Sequence, residues 1–198
     1  MATSRTSQVS KVAPGLYESL PLPAGSRCIR ALDVVRLSEN AGHPLQYDLR
    51  IIDLDSEPSP SFTALSYAWG SQTLDSGVIT CGSFTLPITQ NCHCALQHLT
   101  EVFGRLTIWI DAICINQDDE DEKMRQILLM QDIYSRAETV YVWLGESNVS
   151  TDRAMGYLEN AGYLKHFFLD DLEELLTRDW INRIWTFQEI VLASNPVI

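Results

Sequence analysis

An α/β domain with a mainly parallel central sheet, helices on both faces and an N-terminal β-hairpin annex is the fold class predicted here, and three observations predict it. Residues 106–117 read Leu-Thr-Ile-Trp-Ile-Asp-Ala-Ile-Cys-Ile-Asn-Gln, a run whose first half is β-branched and aromatic, as in a strand covered on both faces. A helical pattern through Met130 to Ala137 follows, and Thr139-Val-Tyr-Val-Trp-Leu144 is a second such strand. Strand, helix and strand make a parallel βαβ unit. Upstream, 28–37 and 45–54 are strand-like and flank Asn40-Ala-Gly-His-Pro44, a turn composition that predicts a hairpin.

Size and charge narrow the function. With 198 residues, 45% of them hydrophobic, the chain is long enough for one substantial core. Fourteen Lys and Arg stand against 26 Asp and Glu, a net charge of -12, and no basic run is visible. Nucleic acid and anionic membrane surfaces are therefore excluded as expected partners. No apolar run reaches the roughly 20 residues that span a bilayer, and no signal pattern opens the chain, so a cytoplasmic location is expected. The five cysteines are an odd number and read as reduced thiols. Cys92 and Cys94, with His93 and His98, match no common zinc spacing, so no metal is expected.

Taken in order, residues 1–25 are rich in Ser, Pro and Gly and read as a flexible arm before a single domain over 26–198, with its α/β core at about 60–198. After the first hairpin, Phe62 to Trp69 is a strand ended by Gly70. Residues 78–88 predict a second hairpin around Cys81-Gly82-Ser83. Thr89 caps a helix that buries Cys92, Ala95, Leu96 and Leu99 and ends near Gly104. The acidic run Asp118 to Glu122 suits the positive end of the next helix, whose apolar face is Ile127, Met130, Ile133, Tyr134 and Ala137. A helix opens at Ser150 or Thr151 and turns Ala154, Tyr157, Leu158 and Ala161 inward. Asp170 opens a short one with Leu172, Leu175 and Leu176. Residues 178–193 read as a final helix, apolar nearly all round.

Two carboxylates in apolar settings mark a candidate site. Asp111 lies within the buried run, where it must be paired, hydrogen-bonded or used. Glu189 shares a helical face with Trp185 and Leu192, and is either neutralised by Arg183 or Arg178 or held with a raised pKa. Ser66, Tyr67, Trp69 and Gly70 close a strand where a glycine allows close backbone approach to a ligand. Cys114 reads as buried packing rather than a nucleophile. Asn116 and Gln117 form the loop after Asp111, where α/β sheets present their ligand crevice. No phosphate loop with Lys, dinucleotide fingerprint or nucleophile elbow is present.

Three blocks, Ala64-Leu-Ser-Tyr-Ala-Trp-Gly70, Trp109-Ile-Asp-Ala-Ile-Cys-Ile-Asn-Gln117 and Arg183-Ile-Trp-Thr-Phe-Gln-Glu189, together closely resemble the fungal heterokaryon incompatibility (HET) domain. That resemblance implies a fungal cytoplasmic module of self/non-self recognition that triggers cell death. More distantly, Leu65-Ser66, Ile110-Asp111 and Arg183 to Glu189 resemble elements of the TIR domain, a flavodoxin-like fold whose enzymatic members cleave NAD between nicotinamide and ribose. The TIR likeness implies an NAD glycohydrolase with Glu189 as the catalytic carboxylate. It also implies stacking by Trp185, Tyr67 or Trp69, sugar contacts from Asp111, Asn116 and Gln117, NAD as substrate with no cofactor, and self-association on activation. The alternative is a non-catalytic signalling module in which the same residues serve as core and interface.

Overall fold

The computed structural model describes residues 14–36, 45–70, 77–159, 169–183 and 186–198. Its strands are β1 (Cys28–Arg36), β2 (Leu45–Asp53), β3 (Thr63–Tyr67), β4 (Gly77–Cys81), β5 (Phe84–Ile88), β6 (Arg105–Trp109), β7 (Val140–Trp143) and β8 (Pro196–Val197). The helices are α1 (Pro14–Ser19), α2 (Gln90–Phe103), α3 (Asp111–Cys114), α4 (Glu120–Arg136), α5 (Val149–Glu159), α6 (Leu169–Leu176) and α7 (Thr186–Val191). Among the described residues one eight-stranded sheet runs in the order β5-β4-β2-β1-β6-β3-β7-β8.

The sheet is mixed, which corrects the expectation of a mainly parallel one. β6, β3, β7 and β8 are mutually parallel, whereas β1 pairs antiparallel with both β2 and β6, and β4 antiparallel with β5. The hairpin is consequently no annex. Residues 28–32 of β1 are all buried, and a strand covered this thoroughly needs partners on both edges, so β1 joins the two halves of the sheet. The turn expected at Asn40–Pro44 lies outside the described residues.

β3 leads through α2 to β6 on one side of it, and β6 leads through α4 to β7 on the other. Right-handed crossovers in opposite directions set α2 and α4 on opposite faces of the sheet. α2 forms as its residues predict. Thr89 accepts a hydrogen bond from the Cys92 amide at 3.3 Å, worth about 1 kcal/mol, and Gly104 ends the helix at φ 70°. Cys92, Ala95, Leu96 and Leu99 are buried.

Three local expectations are corrected. Residues 14–20, assigned to the arm, include α1, whose Leu16 and Tyr17 are buried and whose Tyr17 hydroxyl donates to the Ile113 carbonyl at 2.8 Å. β6 stops at Trp109, and Asp111 opens α3 instead of continuing the strand, so Cys114 is buried in a helical turn. Residues 178–183 form turns, and α7 is only six residues long; Ile184 and Trp185 lie outside the described residues.

The acidic run before α4 divides its labour. Asp119 caps the helix by accepting from the Glu122 amide at 2.9 Å. Glu122 turns inward and takes both guanidinium nitrogens of Arg30, at 2.6 and 3.0 Å, while also accepting from the Asn116 amide at 2.7 Å. Arg30 completes its set with the Leu20 and Cys114 carbonyls and lies 4.9 Å from the Tyr17 ring centroid. One buried ion pair thus gathers α1, β1, the loop after α3 and α4. Because Glu122 and Gln126 occupy the inner face, Ile127 is left exposed.

All five cysteines are free, and no described helix is long and apolar enough to cross a membrane.

Candidate functional site

Successive residues of a strand face opposite sides of the sheet, and β3 uses that alternation to divide Ser66 from Tyr67. Tyr67 packs toward the Cys92 thiol of α2 and is a core residue, as little exposed as its neighbours. Ser66 faces the other way. Its hydroxyl accepts from the Trp180 indole N–H at 2.7 Å and donates to the Glu189 carboxylate on α7. A serine has a single proton to give, so with Trp180 supplying a donor, that proton is committed to Glu189.

Glu189 is only 2% exposed. Burial raises its pKa, the Ser66 hydrogen bond and the positive charge of Arg183 oppose the rise, and the charge of Asp111 adds to it. Neither Arg183 nor Arg178 lies within ion-pair distance of it among the described residues. Arg183 instead donates to the Tyr67 carbonyl. Of the two alternatives open from sequence, the structure gives the carboxylate without a cation. It does not give an open pocket, since Glu189 is enclosed.

Asp111 is half-buried and accepts from the Trp69 indole N–H, 3.1 and 2.9 Å from its two oxygens, and from the Ala112 amide at 2.8 Å. Burial raises its pKa, against those hydrogen bonds and Arg183. Both carboxylates also push the buried Tyr134 phenol further up than burial alone, so it stays protonated. Asp111, Glu189, Arg183 and Tyr134 therefore share one electrostatic neighbourhood behind the carboxyl ends of β3 and β6.

Asn116 and Gln117 stand in the loop that follows α3. Asn116 accepts from the Asp118 amide in a turn, and Gln117 donates to the Asp111 carbonyl at 2.9 Å, shaping the loop. Trp185 lies outside the described residues.

Beside the cluster, at the carboxyl ends of β3 and β7, is a cavity of about 520 Å3 lined by Trp69, Gly70, Asn91, Gly145, Arg178 and Trp180. Strands on the two sides of β3 are reached by crossovers in opposite directions, the arrangement that opens a crevice at a sheet's carboxyl edge. Gly70, at φ 74°, lets the chain turn there. Trp180 forms part of the cavity wall and is also the donor to Ser66, so its indole links the cavity to the Ser66–Glu189 pair.

Sequence reasoning missed Trp180 and Asn91. Asn91 donates to the Ala68 carbonyl at 2.6 Å and accepts from the Trp143 indole at 2.8 Å, bridging the ends of β3 and β7. Its place in the first turn of a helix that follows a strand was the one signal available. Trp180 carried none, because the turn that aims it is set by packing. Among the described residues no three His, Cys, Asp or Glu side chains gather as a metal site.

No solved structure matches this chain. A sequence model described as heterokaryon incompatibility protein (HET) matches residues 62–189, which spans the Ser66, Asp111 and Glu189 blocks. The chain is also similar to heterokaryon incompatibility protein 6, OR allele, of Neurospora crassa, 36% identical over 240 residues and covering 91% of this chain. It spans 34% of that relative's length. With this family match running from β3 to α7, the chain belongs to the heterokaryon incompatibility (HET) family.

Proposed function

We propose that residues 26–198 act as one HET domain of a fungal self/non-self recognition protein, and that the domain cleaves NAD at the nicotinamide–ribose bond with Glu189 as its carboxylate. The observation that carries the catalytic part is a buried glutamate with a raised pKa and no ion pair among the described residues, held by one serine hydroxyl behind the carboxyl ends of parallel strands. The strand order supports the TIR-like reading: numbered from β3, the parallel half runs 2-1-3-4, the flavodoxin-like order, whose ligand crevice opens between strands 1 and 3. The name of the Neurospora crassa relative supports the recognition role.

The chemistry asks little of the protein. As the C1′–N bond breaks, its electron pair leaves with the nicotinamide nitrogen, which needs no acid, and positive charge develops on the ribose. A carboxylate beside the ribose stabilises that charge, and water adds its oxygen to C1′ and loses its proton to the carboxylate and then to solvent. Trp69 and Trp180 offer aromatic walls for the leaving ring. Trp180 stands between the cavity and Glu189, so substrate reaches the carboxylate when the indole releases Ser66.

The test is nicotinamide release from NAD by the concentrated protein beside Glu189→Ala and Glu189→Gln, each checked for folding by circular dichroism. Release by the parent alone is expected. Equal release by the folded variants, or none by the parent even when forced to associate, overturns the assignment. One observation favours a second reading, a non-catalytic signalling module: Glu189 is enclosed, and its bond to Ser66 ties α7 to β3.

A further inference from the structure

We propose that the crevice at Gly145 and Arg178 is a phosphate site, and that the aromatic groove beside it holds the base of a nucleoside phosphate. The choice of a nucleotide rests on the NAD reading above, whereas the anion site stands on its own geometry.

Two cavities meet at the end of β7. The one described above is polar. The second, about 340 Å3, is walled by His98, Phe103, Tyr141, Trp143 and Met155. Their volumes are of the size that takes small ligands. Tilted ring pairs, His98 with Trp143 and Phe103 with Tyr141, line the apolar groove with centroids 5.5 and 5.3 Å apart. Leu144, Gly145, Glu146 and Arg178 line both cavities.

Arg178 is half-buried, and among the described residues its guanidinium has no hydrogen-bond or ion-pair partner. Among the described residues only its backbone makes hydrogen bonds. A cation unpaired among the described residues, in a chain of net charge -12, is the observation that points to a ligand. A guanidinium offers the planar fork that grips phosphate oxygens in pairs.

The backbone supports the same ligand. Gly145 has φ 105°, and a Cβ there would stand 3.1 Å from an Arg178 terminal nitrogen, so the glycine keeps the main chain and the guanidinium close together. Beyond Gly145 the chain passes Ser147 and enters α5, an eleven-residue helix whose first turn borders the groove with Thr151 and Asp152. Asn148 caps the Ser150 and Thr151 amides, so α5 contributes to the site through its dipole and not through free N–H groups. Glu146, Asp152 and Asp179 also line the crevices without pairing with Arg178. Carboxylates in that position suit ribose hydroxyls and disfavour a bare multivalent anion.

The experiment is a titration by calorimetry and tryptophan fluorescence with ADP-ribose, adenosine and inorganic pyrophosphate, on the parent, Arg178→Ala, Arg178→Lys and Gly145→Ala. None of these ligands can be cleaved at a nicotinamide bond. The parent is expected to bind ADP-ribose at least about ten-fold more tightly than adenosine or pyrophosphate, the scale of a charge-assisted hydrogen-bond pair. Arg178→Ala should lose about that factor for ADP-ribose and nothing for adenosine, with Arg178→Lys between and Gly145→Ala weakened. Equal binding of ADP-ribose and adenosine, an Arg178→Ala variant that binds like the parent, tightest binding of pyrophosphate, or no ADP-ribose binding at millimolar concentration overturns the proposal. If ADP-ribose binds through Arg178 and NAD is not cleaved, the phosphate site stands and the catalytic reading falls. If NAD is cleaved with KM unchanged in Arg178→Ala, the reverse holds.

Discussion

Trp180 donates its indole N–H to Ser66 across 2.7 Å, and that contact directs the serine proton to Glu189. The three residues come from a turn, a strand and a short helix, and among the described residues no cation stands within ion-pair distance to take the place of the serine. Most of what can be tested about this domain follows from that arrangement.

Removing the serine hydroxyl leaves two buried polar groups without their partner. Ser66→Ala is expected to cost about 1–3 kcal/mol, and Trp180→Phe, which keeps the ring and loses the donor, about 1 kcal/mol. The double variant should cost less than their sum, because both act on one hydroxyl. Urea unfolding of the four proteins measures the coupling, and strictly additive losses would mean that the two contacts are independent.

The raised pKa of Glu189 has a signed consequence for stability. A carboxyl group whose folded-state pKa lies above its unfolded value of about 4.3 stabilises the fold most when protonated in both states, and that contribution is lost as pH rises through the folded-state value. Glu189→Gln lacks this loss. The stability of the variant relative to the parent should therefore rise as pH climbs past the unfolded value and level off above the folded-state one. Urea midpoints across that range read it out, and a flat or falling difference contradicts a raised pKa.

The Arg30–Glu122 pair holds four elements together and is 1% and 7% exposed at its two side chains. Breaking it from one side strands a buried charge, so Arg30→Ala and Glu122→Ala should each cost about 3–5 kcal/mol. Replacing both with apolar residues of similar volume, Arg30→Met with Glu122→Leu, should recover much of that loss in thermal and urea unfolding. A double replacement as unstable as the worse single one would show that the carbonyl and amide contacts to Leu20, Cys114 and Asn116 matter more than the charges.

Local pattern carried much of this protein. The 3.6-residue spacing of Cys92, Ala95, Leu96 and Leu99 behind Thr89 specified α2 from cap to Gly104, and the β-branched runs located β3, β6 and β7. Both carboxylates announced themselves in sequence, because a charge among apolar residues is costly wherever it goes. Periodicity, however, says which face of an element is buried and never what lies against it. That β1 bridges an antiparallel hairpin to a parallel half, that Glu122 leaves its capping run for Arg30, and that Ser66 meets Glu189 across 123 residues depend on strand edges and side chains distant in the chain. Sequence by itself determined α2, the positions of β3, β6 and β7, the family and the presence of a costly glutamate. Only tertiary structure decided its partner, because hydrogen bonds are satisfied by whatever packing brings within reach, and for Glu189 packing brought a serine held by a tryptophan.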